Sequence, residues 1–483
     1  MQKRDMGVVL SYSRVAANLV CGLALSTVLL QVLGDAQYGV YQTVAAFANC
    51  LVLLEFGMGT VMLRNLSVCR TSGSGAEAMQ RQVSAIWTLS LVLCGGILAL
   101  GAAFYGLLPR VYAISMTAQQ IAQGQKLFAV LGVHVALSFL RQTVDGVLLA
   151  TEHYRFSAVE GMVRTVVRAT LILAGVLWLR DAMVIVWVDL VCSAVCLAVA
   201  AGYCRRRTGL RLRIGKVDRA ALRAILPLAV AIFLQALVGQ TYHNVDKFLI
   251  GVMIGPETVA MYGVALYVFG VFSALTTVPV SLYGPQLQAC VQQGGDLQSA
   301  LAEPCRLTAM MGGAVLVGFA AVGRPFVRLF YGEAYLDAWA IGLLLMGPVY
   351  LDAVVSPALN GLDAKNRRMG RSVILLASTA LNVALTVVWL RFWGPFGAAC
   401  ATAVSTLLGQ VVLGNWFYRR TLGVGIVGLY RAAFRGVGPW LVLGGVAGGL
   451  VAWALPCDWA ALLCGGVVCV GGMLPMLRKW KEQ

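Results

Sequence analysis

The stretch that decides the fold is RRRTGLRLRIGKVDRAALR, residues 205–223, which holds eight basic residues and one acid, Asp218. Long apolar segments lie on both sides of it, six before it and up to eight after it. The positive-inside rule places so basic a short loop at the cytoplasmic face of a membrane. A nucleic-acid patch is the alternative for such a run, but the flanking segments have the length of about 20 residues that spans a bilayer. The stretch therefore predicts the orientation of every other segment and a chain that binds no nucleic acid.

The overall composition is that of an all-α integral membrane protein. The 483 residues are 60% hydrophobic and only 12% charged, with a mean hydropathy of +0.82. Soluble domains carry about a quarter charged residues. The formal net charge of +17 is explained by basic loops beside anionic lipid headgroups. The three histidines are scattered and no Cys and His cluster has the spacing of metal ligands, so the sequence predicts no metal, no cofactor and no catalytic residue.

A helix that spans a membrane needs about 20 mainly apolar residues. Segments of this length occur about fourteen times in the chain, so about fourteen transmembrane helices are predicted. Their orientation follows from charge, because an inside N-terminus makes 26 of the 37 basic residues cytoplasmic, among them Arg371. Both termini are therefore expected in the cytoplasm. The predicted spans are 8–33, 39–63, 82–108, 127–150, 157–179, 183–204, 221–254, 258–284, 305–330, 337–359, 371–391, 396–418, 436–455 and 459–477.

Two six-helix lobes are predicted from the position of the basic loop and from an internal repeat. The sequences around Leu33-Gly34 and around Ile254-Gly255 resemble each other, as do LLATEHYR (148–155) and NGLDAKNR (360–367), at offsets of 212 to 224 residues. Parallel repeats of this kind are typical of transporters, whose substrate site lies where the halves meet. The predicted division is an N-lobe (1–204), a basic cytoplasmic linker (205–220), a C-lobe (221–420), and a cytoplasmic loop with a last helix pair (421–483).

The segment LGDAQYGVYQTVAAFANCLVLLEFGMGTVMLR (33–64) resembles the opening signature of bacterial polysaccharide transporters, the oligosaccharide-lipid flippase family. In that family a Leu-Gly-x-x-x-Tyr-Gly turn joins the first two spans, as Leu33-Gly34 and Tyr38-Gly39 would here. An acidic-x-Gly-x-Gly element follows, matched by Glu55-Phe56-Gly57-Met58-Gly59, although the family more often has Asp in the place of Glu55.

Two later stretches resemble the same family. They are Asp246 before Leu249-Ile250-Gly251, and the run Trp393-Gly394-Pro395-Phe396-Gly397-Ala398-Ala399. The resemblance covers about the first 420 residues. It implies the fold of the multidrug/oligosaccharidyl-lipid/polysaccharide exporter superfamily, in which two six-helix lobes surround a central cavity.

Several charged residues lie deep in predicted spans, where an ionised side chain costs at least about 2.5–3.5 kcal/mol and usually faces a cavity. Glu160, Arg164 and Arg168 form an i, i+4 ladder in the fifth span, and Arg141 and Asp145 lie one turn apart in the fourth. One interpretation is that the three arginines line the cavity and bind the diphosphate of a lipid-linked sugar. The alternative is structural pairing of Arg141 with Asp145 and of Glu160 with Arg164. Arg168 would then have no partner on its own helix, which favours the cavity.

Other polar residues in the spans have two interpretations each. Arg14 and Lys247 could line the cavity or extend toward an interface. The acids Glu55, Asp246 and Asp352, with Asp189 as a further candidate, could carry a proton or an ion in a coupled cycle. A structural hydrogen bond is the alternative for each of these acids, and an ion pair is the alternative for Asp145.

The function that these observations favour is translocation of a polyprenyl-diphosphate-linked oligosaccharide across a bacterial plasma membrane by alternating access. The expected partners are that lipid, the bilayer, and a polysaccharide polymerase or glycosyltransferases. A peptidoglycan lipid-precursor flippase and a multidrug or cation antiporter of the same superfamily are the alternatives. An enzyme, such as a membrane glycosyltransferase, is not expected because the short loops leave no room for a catalytic domain.

Overall fold

The regular secondary structure is helical throughout the described part of the chain, as the sequence predicts. The computed structural model describes residues 2–55, 57–71, 75–215, 244–365 and 367–481, with side chains for all of these except 2–19, 53 and 477–481. These ranges contain no strand. The chain divides into two compact units, Met1–Ala260 and Met261–Gln483.

The first unit includes six long helices, α1 (Gln2–Leu51), α2 (Met58–Thr71), α3 (Ala76–Val111), α4 (Ala118–Ala150), α5 (Tyr154–Leu179) and α6 (Met183–Thr208). It is built around α4, which packs against α1, α2, α3 and α6, while α5 packs against α1 and α6. Thr117 caps the start of α4, because the Thr117 hydroxyl accepts from the Gln120 amide (3.3 Å) and the Gln120 side chain accepts from the Thr117 amide (2.9 Å).

Glycines of the 33–64 signature break and pack these helices. Gly34 has a φ of 73° inside α1, which separates the first two predicted spans. Gly57 has a φ of 62°, a conformation that favours glycine, and it ends the 3-10 turn Val52–Glu55 before α2. A Cβ on Gly59 would lie 2.7 Å from the Gln142 carbonyl oxygen, and one on Gly146 would lie 2.3 Å from the Gly59 carbonyl oxygen. The backbones of α2 and α4 therefore touch, as small residues allow in membranes.

The described residues of the second unit contain most of α7 (Pro256–Gln292), whose first residues belong to the first unit, and eight further helices. These are α8 (Leu297–Tyr331), α9 (Asp337–Val355), α10 (Ala358–Ala364), α11 (Arg368–Thr406), α12 (Gly414–Leu422), α13 (Ile426–Phe434), α14 (Gly438–Ala454) and α15 (Asp458–Lys481). Gly394 (φ 56°) divides α11 within the motif that begins at Trp393. A π-helical segment, Leu407–Leu413, joins α11 to α12.

The last helix pair, α14 and α15, is packed onto α8. Met310 of α8 shares a buried apolar cluster with Leu441, Cys469 and Met473 of the pair. Gly448 lets the pair approach closely, since a Cβ there would lie 2.6 Å from the Cys469 Cβ. The pair is therefore a packed part of the second unit.

Ten helices of the described chain are long and apolar enough to cross a membrane, or eleven if the bent pair Ile426–Phe434 and Gly438–Ala454 is one span. Two of the ten, Val20–Leu51 of α1 and Arg368–Leu422 from α11 to α12, each include residues of two predicted spans, which are divided at Gly34 and Gly394. The second predicted span, 39–63, is broken after Leu51 and continues in α2. The seventh predicted span, 221–254, lies mainly outside the described residues, and its residues 244–253 are helical. The chain is therefore a multi-pass membrane protein. The helices are compatible with the predicted fourteen spans, and that number remains a prediction.

The predicted lobe boundaries remain a prediction. α6 ends at Thr208, and residues 209–215 of the predicted linker are not helical. Linker residues 216–220 and the start of the predicted C-lobe lie outside the described residues.

Candidate functional site

The deep charges of the first unit lie on α4, α5 and α6. Arg141 is 8% exposed, and its guanidinium is 2.8 Å from an Asp145 carboxylate oxygen and 2.6 Å from one of Glu160. The predicted pair of Arg141 with Asp145 is confirmed. The predicted pair of Glu160 with Arg164 is wrong, because Arg141 on the neighbouring helix reaches Glu160 instead. Arg141 is thus held between two carboxylates.

Arg168 has a partner on the next helix. Its Nε and Nη2 atoms donate to the two carboxylate oxygens of Asp189 on α6, with 3.0 Å between Nη2 and Oδ2. Asp189 is buried, and its backbone oxygen is 2.9 Å from the His134 ring. The Tyr41 hydroxyl also contacts the Arg168 guanidinium. Arg168 has no partner on its own helix, but it is paired with an acid of the next one. Its side chain is 36% exposed, so part of the guanidinium can still reach a ligand.

Arg164 differs from Arg141 and Arg168 because its guanidinium is not paired with an acid of the described residues. It forms no salt bridge with a residue of the described ranges, and its buried Nε has no hydrogen-bond partner there. Its electrostatic neighbours are Arg141, Glu160 and Asp145, and both acids already contact Arg141. The Arg164 guanidinium is therefore available to a ligand.

A pocket of about 270 Å³ lies between α1 and α5 in this unit. Arg164 and Arg168 both line it, while Arg141 does not. A guanidinium with free donors beside a second one suits a multiply charged anion, because its planar fork matches phosphate and carboxylate oxygens. The lining residues are Cys21, Gly22, Leu25, Arg164, Thr165 and Arg168.

Of the other two predicted cavity cations, only Lys247 has a described side chain. The side chain of Arg14 is outside the described residues, although its backbone belongs to α1. The Lys247 ammonium donates to the Gln42 side chain at 3.1 Å, and Gln42 donates to the Tyr38 hydroxyl at 2.7 Å. Lys247 is therefore part of a polar chain at the signature turn, and its role in substrate binding remains a prediction.

The predicted coupling acids have different environments. Glu55 is 6% exposed at the end of the 3-10 turn and hydrogen-bonds to the Gln142 side chain. Asp246 is 3% exposed in the helical residues 244–253. Asp352 lies 2.6 Å from the guanidinium of Arg371. For Asp352 the structural alternative of an ion pair is the one that the geometry supports.

Arg371, which the sequence analysis counts among the cytoplasmic basic residues at the start of the predicted span 371–391, is buried in the second unit. It is 6% exposed, pairs with Asp352 of α9, and lies over the Tyr418 ring at 5.5 Å from the ring centre. The absence of a Cβ at Gly414 makes room for it, since a Cβ there would lie 2.6 Å from Arg371 Nη1.

The Asp352–Arg371 pair is the counterpart of the Arg141–Glu160 pair in the internal repeat. Both pairs join residues 19 positions apart, and both partners are displaced by 211 positions, 352 against 141 and 371 against 160. The charges are exchanged, because the first unit has Arg then Glu and the second has Asp then Arg. The repeat offset of about 212 could have pointed to Arg371, which it aligns with Glu160.

No group of three or more His, Cys, Asp or Glu side chains that could hold a metal ion occurs in the ranges that the structure covers. The groups assembled in the first unit are guanidiniums, carboxylates and hydroxyls, which suit binding and ion pairing.

The sequence of this chain matches the model of one known protein family. A model described as "Polysaccharide biosynthesis protein" matches residues 28–340, which is about two thirds of the chain. The chain belongs to this family. The match includes the 33–64 signature and the pocket residues Arg164, Thr165 and Arg168, and it confirms the resemblance that the sequence motifs predicted. A search of the curated proteins found no match.

Solved structures of the multidrug/oligosaccharidyl-lipid/polysaccharide exporter superfamily share the fold. An inward closed conformation of the lipid II flippase MurJ is 13% identical with a TM-score of 0.73, covering 99% of each chain. An inward-facing multidrug resistance MATE transporter is 15% identical with a TM-score of 0.65, covering 86% of this chain and 96% of the other. A eukaryotic MATE transporter is 14% identical with a TM-score of 0.54, covering 89% and 99%. At these identities the likeness shows the fold, which is the one that the sequence predicted.

Proposed function

We propose that this protein is a flippase that moves a polyprenyl-diphosphate-linked oligosaccharide across a bacterial plasma membrane by alternating access of two lobes. The observation that carries the proposal is the Arg164 guanidinium, which has no salt-bridge partner in the described chain and lines a pocket beside Arg168. The membership in a polysaccharide biosynthesis family supports the same class of substrate.

The chemistry of the pocket suits the diphosphate group. Arg168 is oriented by Asp189 through two hydrogen bonds, so one edge of its guanidinium is fixed while the exposed part can face a ligand. Arg164 adds a second guanidinium, which forms no salt bridge with a carboxylate of the described residues and whose buried Nε has no hydrogen-bond partner among them. The pocket volume of about 270 Å³ is slightly smaller than the volume of pockets that bind drug-sized ligands, which is about 300–1,000 Å³. The headgroup phosphates would occupy it, with the sugar and the lipid tail outside.

Energy coupling in this proposal falls to Glu55 and Asp246, two buried acids of the first unit. Arg141 and its two carboxylates would hold α4 against α5 near the site. Arg14 and Lys247 remain proposed contacts of the substrate. Glycosyltransferases would supply the lipid-linked sugar and a polymerase would consume it on the other side. The protein would act as a transporter and not as an enzyme.

A peptidoglycan lipid precursor is the second candidate substrate. The likeness to the lipid II flippase MurJ over 99% of both chains favours it, and lipid II also carries a diphosphate. A cation antiporter is less favoured by this pocket, because two arginines would repel an organic cation.

Translocation by the purified protein in proteoliposomes distinguishes these substrates. Fluorescent polyprenyl-diphosphate oligosaccharide, fluorescent lipid II and a fluorescent organic cation are supplied separately, and the fraction that reaches the opposite leaflet is measured by quenching. We expect the oligosaccharide lipid to move at least tenfold faster than in protein-free liposomes. Movement of lipid II alone would replace the first candidate with the second, and movement of the cation alone would reject both.

A further inference from the structure

A second basic site lies where α6 ends. Residues 209–215 leave α6 and run back along α3, where side chains of α3 hold the backbone of this segment. The Arg211 amide donates to the Gln80 side chain at 2.8 Å, and the Gln80 side chain donates to the Arg211 carbonyl at 2.6 Å. The Gly215 amide donates to the Thr88 hydroxyl at 2.9 Å. Because both ends are held, the side chains between them have defined positions.

This segment closes a pocket of about 370 Å³ against the last turns of α6. Three arginines line it, and none of the described residues that line it is an acid. None of the three forms a salt bridge with another residue in the covered parts of the chain, although each is exposed. Three like charges held around one space repel each other, so the pocket is favourable for an anion that can accept from several guanidiniums. The lining residues are Ala201, Gly202, Arg205, Arg211, Leu212 and Arg213.

An apolar stripe on α6 leads to this pocket. Val191, Val195 and Val199 are 55%, 54% and 49% exposed, and their spacing of four residues places them on one face of the helix with Gly202. Ile214, beside the pocket arginine Arg213, is 80% exposed. In a membrane helix such a stripe contacts acyl chains. A ligand with a phosphate at one end and an alkyl chain at the other would fit both parts of this surface.

We propose that the pocket binds the phosphate headgroup of an anionic phospholipid, with an acyl chain along the valine stripe of α6. The charge pattern predicts that this end of α6 is cytoplasmic, where anionic lipids attract basic side chains and where basic pockets between helices bind anionic headgroups. The lipid would neutralise the arginines and fix the segment that follows α6. This site is separate from the Arg164 pocket and does not depend on the substrate of that pocket.

Lipid retention by the purified full chain tests the proposal. The protein is mixed with equal amounts of phosphatidylglycerol and phosphatidylcholine in detergent, and the lipids that stay bound are measured by native mass spectrometry. The test variant replaces the three pocket arginines, Arg205→Gln, Arg211→Gln and Arg213→Gln. The matched control removes three basic residues predicted to lie at the same face but outside the pocket, Arg155→Gln, Arg206→Gln and Arg207→Gln. A third variant, Gly202→Leu, fills the pocket and changes no charge, since the position of its Cβ has no neighbour within 4 Å.

We expect the unmodified protein to retain phosphatidylglycerol in preference to phosphatidylcholine. Each pocket arginine should account for about fivefold in retention, and the triple variant should lose about a hundredfold. Gly202→Leu should lose at least tenfold with an unchanged thermal unfolding temperature, while the control variant keeps most of the lipid. Equal retention of both lipids, or equal losses in the pocket and control triples, would overturn the proposal. Full displacement of the lipid by inorganic phosphate would assign the pocket to a free anion and would also overturn it.

Discussion

At the scale of single residues, the arginines of α4 and α5 differ in what their removal leaves behind. Arg164→Ala breaks no salt bridge to a described residue and removes a charge close to Arg141. Under the proposed function, we expect this variant to lose at least tenfold in the translocation rate of the oligosaccharide lipid while its unfolding temperature stays unchanged. Proteoliposome translocation and thermal unfolding in detergent measure the two effects.

The control for this variant is Arg110→Ala, which removes an exposed arginine at the end of α3. It should change neither quantity. Full translocation by Arg164→Ala would contradict the role of the pocket. Arg168→Ala is a poorer test because it leaves the buried Asp189 carboxylate without its guanidinium, so a loss of transport could reflect misfolding.

Arg141 should behave as a structural residue. Arg141→Met would leave Asp145 and Glu160 with no guanidinium between them, and removing one member of a buried pair costs about 3–5 kcal/mol. We expect a clear fall in the thermal unfolding temperature of the purified protein. The triple variant with Asp145→Asn and Glu160→Gln should recover most of it. An Arg141→Met variant that unfolds at the original temperature would show that the two carboxylates do not need this cation.

At the scale of elements, the exchanged ion pairs of the repeat predict a charge-swap result. Arg371→Asp would place two acids together between α9 and α11 and should destabilise the protein by about 3–5 kcal/mol. The double variant Asp352→Arg with Arg371→Asp reproduces the order of charges in the first unit. We expect it to recover part of the loss, because the space at Gly414 fits a guanidinium at position 371 and not at 352.

Thermal unfolding of the single and double variants measures this coupling. A double variant that is no more stable than Arg371→Asp would contradict the pairing. The size of the recovery also reports how much of the interaction depends on the charge and how much on the packing of Arg371 over Tyr418.

The element scale also shows where sequence reasoning fails. The helices α4 to α6 and the breaks at Gly34 and Gly394 follow from apolar length and from glycine, which are properties of one segment at a time. Spacing along one helix predicted the pair of Arg141 and Asp145 correctly, but it also predicted a pair of Glu160 with Arg164 in place of the one that Glu160 forms with Arg141. The partners of Glu160 and Arg168 come from neighbouring helices, and no spacing along one helix reveals them. The pair of Arg371 with Asp352 was not predicted either, because it forms between two helices, α9 and α11, and depends on how closely they approach.

At the scale of the whole molecule, the predicted orientation can be tested at Cys457. This cysteine is exposed in the turn between α14 and α15, which the charge pattern predicts to be external. We expect a membrane-impermeant maleimide to label it in intact cells and Cys457→Ser to remove the label. The exposed Cys464 lies within α15, where acyl chains exclude a charged reagent. Labelling that requires permeabilised cells would reverse the predicted orientation of this turn.

The sequence by itself determined that this chain is a multi-pass helical membrane protein of a polysaccharide biosynthesis family. This was possible because hydropathy, the glycines that break helices and short motifs are properties of single segments of the sequence. The tertiary structure decided which charges are neutralised and which remain available. Arg141 and Arg371 are held by carboxylates, whereas Arg164 lines a pocket to which the described residues contribute no carboxylate. The physical reason is that an ion pair between helices depends on their rotation and approach, which hydrophobic length does not specify.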